Sequence, residues 1–233
     1  MELGERLLVY YIAGAWRAPL GTAMRPVPLA RGGQRALVEA GPEDVARALA
    51  AVQSGGRVQV GPGAGGEAVA AALEAQADLL TEAIMLEHGV TRAEAARELA
   101  ASLRAASVPP DLPVLPKEGA LLLLGAVGAR PALWAGALAG GLAVGRSLLI
   151  KPAPRAPVVP LMLVAALHGA RLLRPGALGL VQGGGATTGR ALLVQPGLAG
   201  ALLLGRGAAR PGLAGAAEDA GLPLICVPGP DGL

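Results

Sequence analysis

The stretch Gly145-Arg-Ser-Leu-Leu-Ile-Lys-Pro-Ala-Pro154 restricts the possible folds more than any other. Leu148 to Ile150 form a short, unbroken apolar run, the pattern of a strand buried on both faces in a parallel sheet between helices. Lys151 is followed by Pro152 and Pro154, which cannot continue a hydrogen-bonded ladder, so the ammonium is left at the carboxyl end of the strand. Ligands of open α/β sheets bind at that end, and a cation there suits a phosphate or a ribose.

The sequence on both sides repeats the same alternation. Strands are predicted at Leu121–Leu124, Ser147–Ile150, Leu178–Gln182, Ala201–Leu204 and Leu222–Val227. Helices fall between them at Pro131–Ala143, Val158–Ala170, Gly183–Val194 (opened by a Gly-rich turn) and Gly212–Ala220. Strands alternating with helices give an α/β fold with a doubly wound, mainly parallel sheet. Residues 119–233 thus form a βαβ core, and 108–118, with four prolines, a rigid connector. Residues 1–107 read as a strand and helical lead-in to the same single domain, 1–233. Tyr10–Trp16 is a short strand closed by a Gly turn, and Pro42 with Glu43 and Asp44 opens a helix to about Val52. Ser54–Gly66 reads as a Gly-rich loop, and Ala68–Glu87 as one long helix stopped by His88-Gly89. Thr91-Arg-Ala-Glu94 is a capping box for a further helix to about Ala106.

Composition narrows the function. Net charge is +3, but the arginines are scattered singly, without the basic cluster and interleaved aromatics that grip nucleic acid. A single cysteine, Cys226, gives no disulfide framework and no Cys-rich metal site, and fits a reducing compartment. Met1–Arg6 carries Glu2 and Glu5 and lacks the layout of a signal peptide, so a cytoplasmic location is expected. Gly119–Ile150 is nearly all apolar. It is broken by Arg130-Pro131, and a buried strand, helix and second strand account for it better than a membrane span. His88 and His168 each precede a glycine at a predicted helix end, where a cation is locally favoured, and read as caps. No spacing suited to metal ligands is present.

The turn Gly183-Gly-Gly-Ala-Thr-Thr-Gly189 follows a strand and opens a helix, a context that aims backbone N–H groups and a helix dipole at an anion. Its spacing is G-x-G-x-x-x-G, with Thr188 where the usual dinucleotide fingerprint has its third glycine, and a tight turn without a ligand explains it equally well.

Taken in order, Tyr-Ile-Ala-Gly-Ala-Trp16, Glu87-His-Gly89, Gly145–Pro152, the Gly183–Gly189 turn and Leu203-Leu-Gly205 resemble the aldehyde dehydrogenase superfamily. The resemblance covers nearly the whole chain, but only the family's amino-terminal, coenzyme-binding half. The motif-poor, Ala- and Arg-rich character is also similar to the degenerate second module of the family-sixteen, two-module aldehyde dehydrogenases.

This resemblance implies an NAD or NADP site at Lys151, Gly183, Gly185, Gly189, Gly205 and Arg206. Lys151 matches the family lysine that contacts the adenine-side ribose, but the acidic or polar partner three residues later is Pro154. Gly183, Gly185 and Gly189 match the family's glycines. The family's Phe-Thr-Gly-Ser, whose serine helps hold the pyrophosphate, corresponds to Leu203-Leu204-Gly205-Arg206. Arg206 could pair with a phosphate or fill the groove. The Pro-Trp-Asn whose amide stabilises the oxyanion falls at about Ala126–Ala129, and the chain contains no Asn. Loss of one oxyanion donor slows such reactions by about two to three orders of magnitude. The Glu-Leu-Gly-Gly that carries the general base aligns with Cys226-Val-Pro-Gly229, and the sequence stops at Leu233, before the family's catalytic domain and nucleophile. Cys226 reads as a small buried thiol, and no residue is assigned a catalytic role. The strand pair the family uses for oligomerisation is shortened to Ala105–Glu118.

Two functions follow. The first is a non-catalytic, pseudoenzyme-like module that binds another protein or belongs to a longer dehydrogenase chain. The second is the NAD(P)-binding portion of an oxidoreductase acting on aldehydes, with its catalytic half supplied elsewhere.

Overall fold

The computed structural model describes residues 9–30, 33–54, 64–116, 118–207 and 210–229. Five parallel strands form its centre: β5 (Ala120–Gly125), β6 (Leu148–Lys151), β7 (Leu178–Leu180), β8 (Leu198–Leu204) and β9 (Leu224–Val227). An antiparallel hairpin, β1 (Tyr10–Ile12) and β2 (Ala15–Arg17), joins through β1 to β7. The sheet order is β2-β1-β7-β6-β5-β8-β9. Successive crossovers run from β5 to β6 to β7, then return to the other side of β5 as β8 and β9. The order therefore reverses between β5 and β8, the switch point at which such sheets leave a crevice.

The sheet is covered on both sides, as the unbroken apolar runs require. One face packs against α2 (Ala64–Glu74), α3 (Ala77–His88), α4 (Arg92–Ser107), α5 (Pro131–Ala143) and α6 (Val158–Gly169), through Leu121, Leu123, Leu148 and Ile150. The other meets α1 (Pro42–Ser54), α7 (Arg190–Leu193) and α8 (Arg210–Asp219), through Leu122, Leu124, Leu149 and Leu203. Pro131 opens α5 after an extended Arg130, and almost every side of this helix is buried, Trp134 included. The capping box of α4 forms as read: Glu94 N–H donates to Thr91 Oγ1 at 3.3 Å, and Thr91 N–H donates to Glu94 Oε2 at 2.8 Å. Among the described residues no helix is long and apolar enough to cross a membrane.

Three local readings are corrected. The predicted helix Ala68–Glu87 is two helices, α2 and α3, broken at Ala75-Gln76. Gly65 and Gly66, read as loop, belong to α2. A β-carbon on Gly66 would lie 2.6 Å from the Ala106 carbonyl oxygen, so the glycine is there to let α2 meet the end of α4. Residues 55–63 of the predicted Gly-rich loop lie outside the described residues. A second antiparallel pair, β3 (Met24–Pro28) and β4 (Gln34–Val38), forms a sheet of its own that the sequence reading did not foresee.

Candidate functional site

Lys151 is the last residue of β6, paired in register with Leu124 of β5. It stands at the carboxyl end of the strand, as the sequence suggested, and is only 2% exposed. Burial pulls its pKa down to about 8, the Glu39 carboxylate pulls it up, and the Arg25 guanidinium adds to the lowering. The side chain runs beneath the Gly-rich turn, with Cδ 3.9 Å from where a β-carbon on Gly189 would sit.

The Gly-rich segment follows β7 and winds as a π-helical turn over Gly185–Gly189, which leads directly into α7. Thr188 is buried and donates its hydroxyl to the Ala40 carbonyl at 3.0 Å. Gln182, just before the turn, accepts from Ala40 N–H at 2.9 Å through its backbone carbonyl. Its side chain is fully buried, and neither amide atom has a hydrogen-bond partner among the described residues.

Glu39, which sequence reasoning did not single out, sits on this turn. Its Oε1 accepts from Gly184 N–H at 2.8 Å and from the Thr187 hydroxyl. Its Oε2 accepts from Arg25 Nε at 3.1 Å and Arg25 Nη2 at 2.8 Å. Burial raises the Glu39 pKa, but the bonds from Thr187, Gly184 and Arg25 outweigh it and hold the carboxyl below its ordinary value. Arg25 comes from β3 and Glu39 follows β4, so the hairpin absent from the sequence reading delivers both groups.

At the switch point, Gly205 ends β8 with φ +79° and donates to the Val227 carbonyl at 2.9 Å. Arg206 beside it is exposed. The loop after β5 turns tightly, Ala129 N–H donating to the Ala126 carbonyl at 3.0 Å, and both alanines are buried. Lys151, Gly183, Gly185 and Gly189 thus gather at the ends of β6 and β7, whereas Gly205 and Arg206 lie at the end of β8, on the far side of β5.

Three further residues singled out from the sequence are placed as follows. Cys226 is half-buried on β9, the last strand of the sheet among the described residues, and is not enclosed as expected of a small core thiol. His168 lies in the last turn of α6, as read, and its ring is engaged further: Nδ1 pairs with Tyr11 Oη at 3.1 Å, and the ring meets Tyr11 and Trp16 edge-on. His88 lies with Nε2 3.6 Å from Glu87 Oε1, and its pKa is lowered by burial and by Arg130.

The strand order and the helices on both faces define a doubly wound, mainly parallel α/β class. The aldehyde dehydrogenase family model matches residues 131–221. Solved structures give the same answer for the whole fold. An NAD-dependent benzaldehyde dehydrogenase from Corynebacterium glutamicum superposes with a TM-score of 0.80 at 16% identity, over 94% of this chain and 54% of its own. Aldehyde dehydrogenase C from Pseudomonas syringae, a mutant solved with NAD+ and octanal, gives 0.76 at 22% identity, over 97% and 51%. A betaine aldehyde dehydrogenase double mutant from Staphylococcus aureus, solved with NAD+, gives 0.80 at 18% identity, over 98% and 52%. No curated protein sequence matches the chain. The resemblance read from the motifs therefore holds: the fold is that of the aldehyde dehydrogenase coenzyme-binding portion, and the chain spans about half the length of these structures.

The residues present do not fit a coenzyme phosphate on the Gly-rich turn. The Gly184 N–H and the Thr187 hydroxyl, donors such an anion would use, already serve the Glu39 carboxylate, and the lysine beneath is enclosed.

Proposed function

We propose that this chain is a non-catalytic module of the aldehyde dehydrogenase type, acting through contact with another protein or with the remainder of a longer dehydrogenase chain. The observation that carries the reading is the loop after β5. Where the resemblance puts an oxyanion-stabilising amide, Ala126 and Ala129 offer no side-chain donor, and the Ala129 N–H is spent within the turn. The aligned general-base position, Cys226, is a half-buried thiol on the sheet edge. An apolar face supports a contact role. A cavity of about 410 Å³ between α4 and α5 is lined by Ala101, Ala105, Leu112, Leu133, Leu204 and Val227, and every residue of β9 is half-exposed. Such a surface, if uncovered, favours association.

The test is aldehyde-dependent reduction of NAD+ and NADP+ by the purified chain, alone and with the catalytic half of a dehydrogenase of this fold added. No reduced coenzyme is expected in either case. Turnover by the chain alone overturns the reading, and turnover only after addition favours the coenzyme-binding alternative. That second reading draws on neighbours solved with NAD+ and on the place of Lys151 at a strand end. It requires NAD+ or NADP+ to bind in calorimetry and the binding to disappear in Lys151→Ala.

A further inference from the structure

We propose that Glu39 is a built-in anion that occupies the Gly-rich turn in place of a phosphate, so that the chain closes its own nucleotide site. The inference rests on the reading of Gly183–Gly189 and Lys151 as the coenzyme-binding remnant, and it adds the group that silences it.

Both oxygens of the carboxylate are saturated. Oε1 takes one backbone N–H and one hydroxyl from the turn, and Oε2 takes two guanidinium N–H groups from Arg25. A phosphate at the opening of a helix uses the same donor types and the same nearby cations. Glu39 therefore mimics the ligand in charge and in partners. A phosphate entering beside it would meet a like charge while losing the donors it needs.

Nor is Glu39 on a free arm. Val38 accepts from the buried Tyr10 hydroxyl at 3.0 Å, and Ala40 is bonded on both sides, donating to Gln182 and accepting from Thr188. The residues flanking the carboxylate are thus pinned to β1 and to the turn itself. Its ordering entropy is met during folding, an advantage that no diffusing ligand shares.

Two buried groups beside the turn go beyond what a turn alone needs. Lys151 lies enclosed beneath it, with Glu39 as the anion that stabilises its charge. Gln182, next to Gly183, keeps a fully buried amide without a hydrogen-bond partner among the described residues, which a purely structural turn gains nothing from.

Removal of the carboxylate should open the site. AMP and inorganic phosphate are titrated calorimetrically into the wild-type chain, Glu39→Ala, Glu39→Gln and Glu39→Ala/Lys151→Met. The wild type is expected to give no heat at millimolar ligand. Glu39→Ala is expected to bind AMP at least about tenfold more tightly, and adding Lys151→Met is expected to abolish the gain. Glu39→Gln keeps one acceptor oxygen for Gly184 and removes the charge together with the second acceptor oxygen. It decides the matter if the alanine variant does not fold, and it too should gain AMP binding. Wild-type binding as tight as that of the variants overturns the proposal, as does absence of gain in the folded Glu39 variants. A gain that persists without Lys151 overturns it as well. None of these outcomes depends on aldehyde turnover, so the fate of the non-catalytic reading is decided separately.

Discussion

Glu87→Gln should flatten the pH dependence of stability between about pH 5 and pH 8. Glu87 precedes the last residue of α3, and its side chain is 3% exposed. Its Oε2 accepts from the first backbone N–H groups of α6, from Val158 and, at 3.3 Å, from Val159. A carboxylate at that position is favoured by the helix dipole, yet desolvation dominates and pushes the pKa up from 4.5 to about 8 against the two bonds. In the unfolded chain the group titrates near its ordinary value. Between those two values the native state binds more protons than the unfolded one, so stability is fully present below about pH 4.5 and is lost as pH rises towards 8. Each pH unit in that window removes up to about 1.4 kcal/mol, which makes the decline from pH 5 to pH 7 roughly 2–3 kcal/mol. Glutamine keeps the carbonyl oxygen that caps α6 and removes the titration. Urea unfolding of both proteins at pH 5, 6 and 7 checks this: the stability difference should shift in favour of the variant by about 2 kcal/mol or more as pH rises. His88, whose lowered pKa acts in the opposite sense, is present in both proteins. Parallel stability curves across this range would refute the reasoning.

Gly205→Ala should destabilise by about 1–3 kcal/mol, since φ is +79° and the new β-carbon would lie 2.6 Å from Ala129 N; chemical denaturation measures it. Tyr11→Phe removes the bond from Oη to His168 Nδ1 and should lower stability by about 1 kcal/mol. Trp16 fluorescence should report the change, as its ring packs on both partners. Thr91→Ala removes the reciprocal cap of α4 and should lower stability by about 1 kcal/mol, and faster amide exchange over the first turn of that helix would locate the effect.

The sheet was legible because its determinants are local. Leu121–Leu124 and Leu148–Ile150 are short runs too apolar for a solvent-facing strand, and Pro131 and the Thr91–Glu94 box mark helix starts with groups that act within one turn. The break between α2 and α3 was not legible, because Ala75-Gln76 carries no breaker residue and Gly66 sits in a helix for the sake of a neighbour forty residues away. The pair β3–β4 escaped notice for a similar reason: two prolines and two arginines occupy its register, and only Val27, Leu37 and Val38 turn inward.

The candidate site divides along the same line. Its glycines and Lys151 stand in contiguous motifs, legible from the sequence as a candidate place for an anion. The group that fills the place comes from 145 residues upstream of Gly184, in a polar segment where a single glutamate carries no pattern. What identifies it is the coincidence of four donors on one carboxylate, a property of the folded chain alone. On the proposal above, the glycines of a binding turn are retained while a distant side chain takes the hydrogen bonds a phosphate would use. The glycines then persist for the geometry of the turn, and the same G-x-G-x-x-x-G spacing suits an open site and a self-filled one equally. In this chain the residue that faces Gly184 is Glu39, so the group the proposal turns on is a carboxylate.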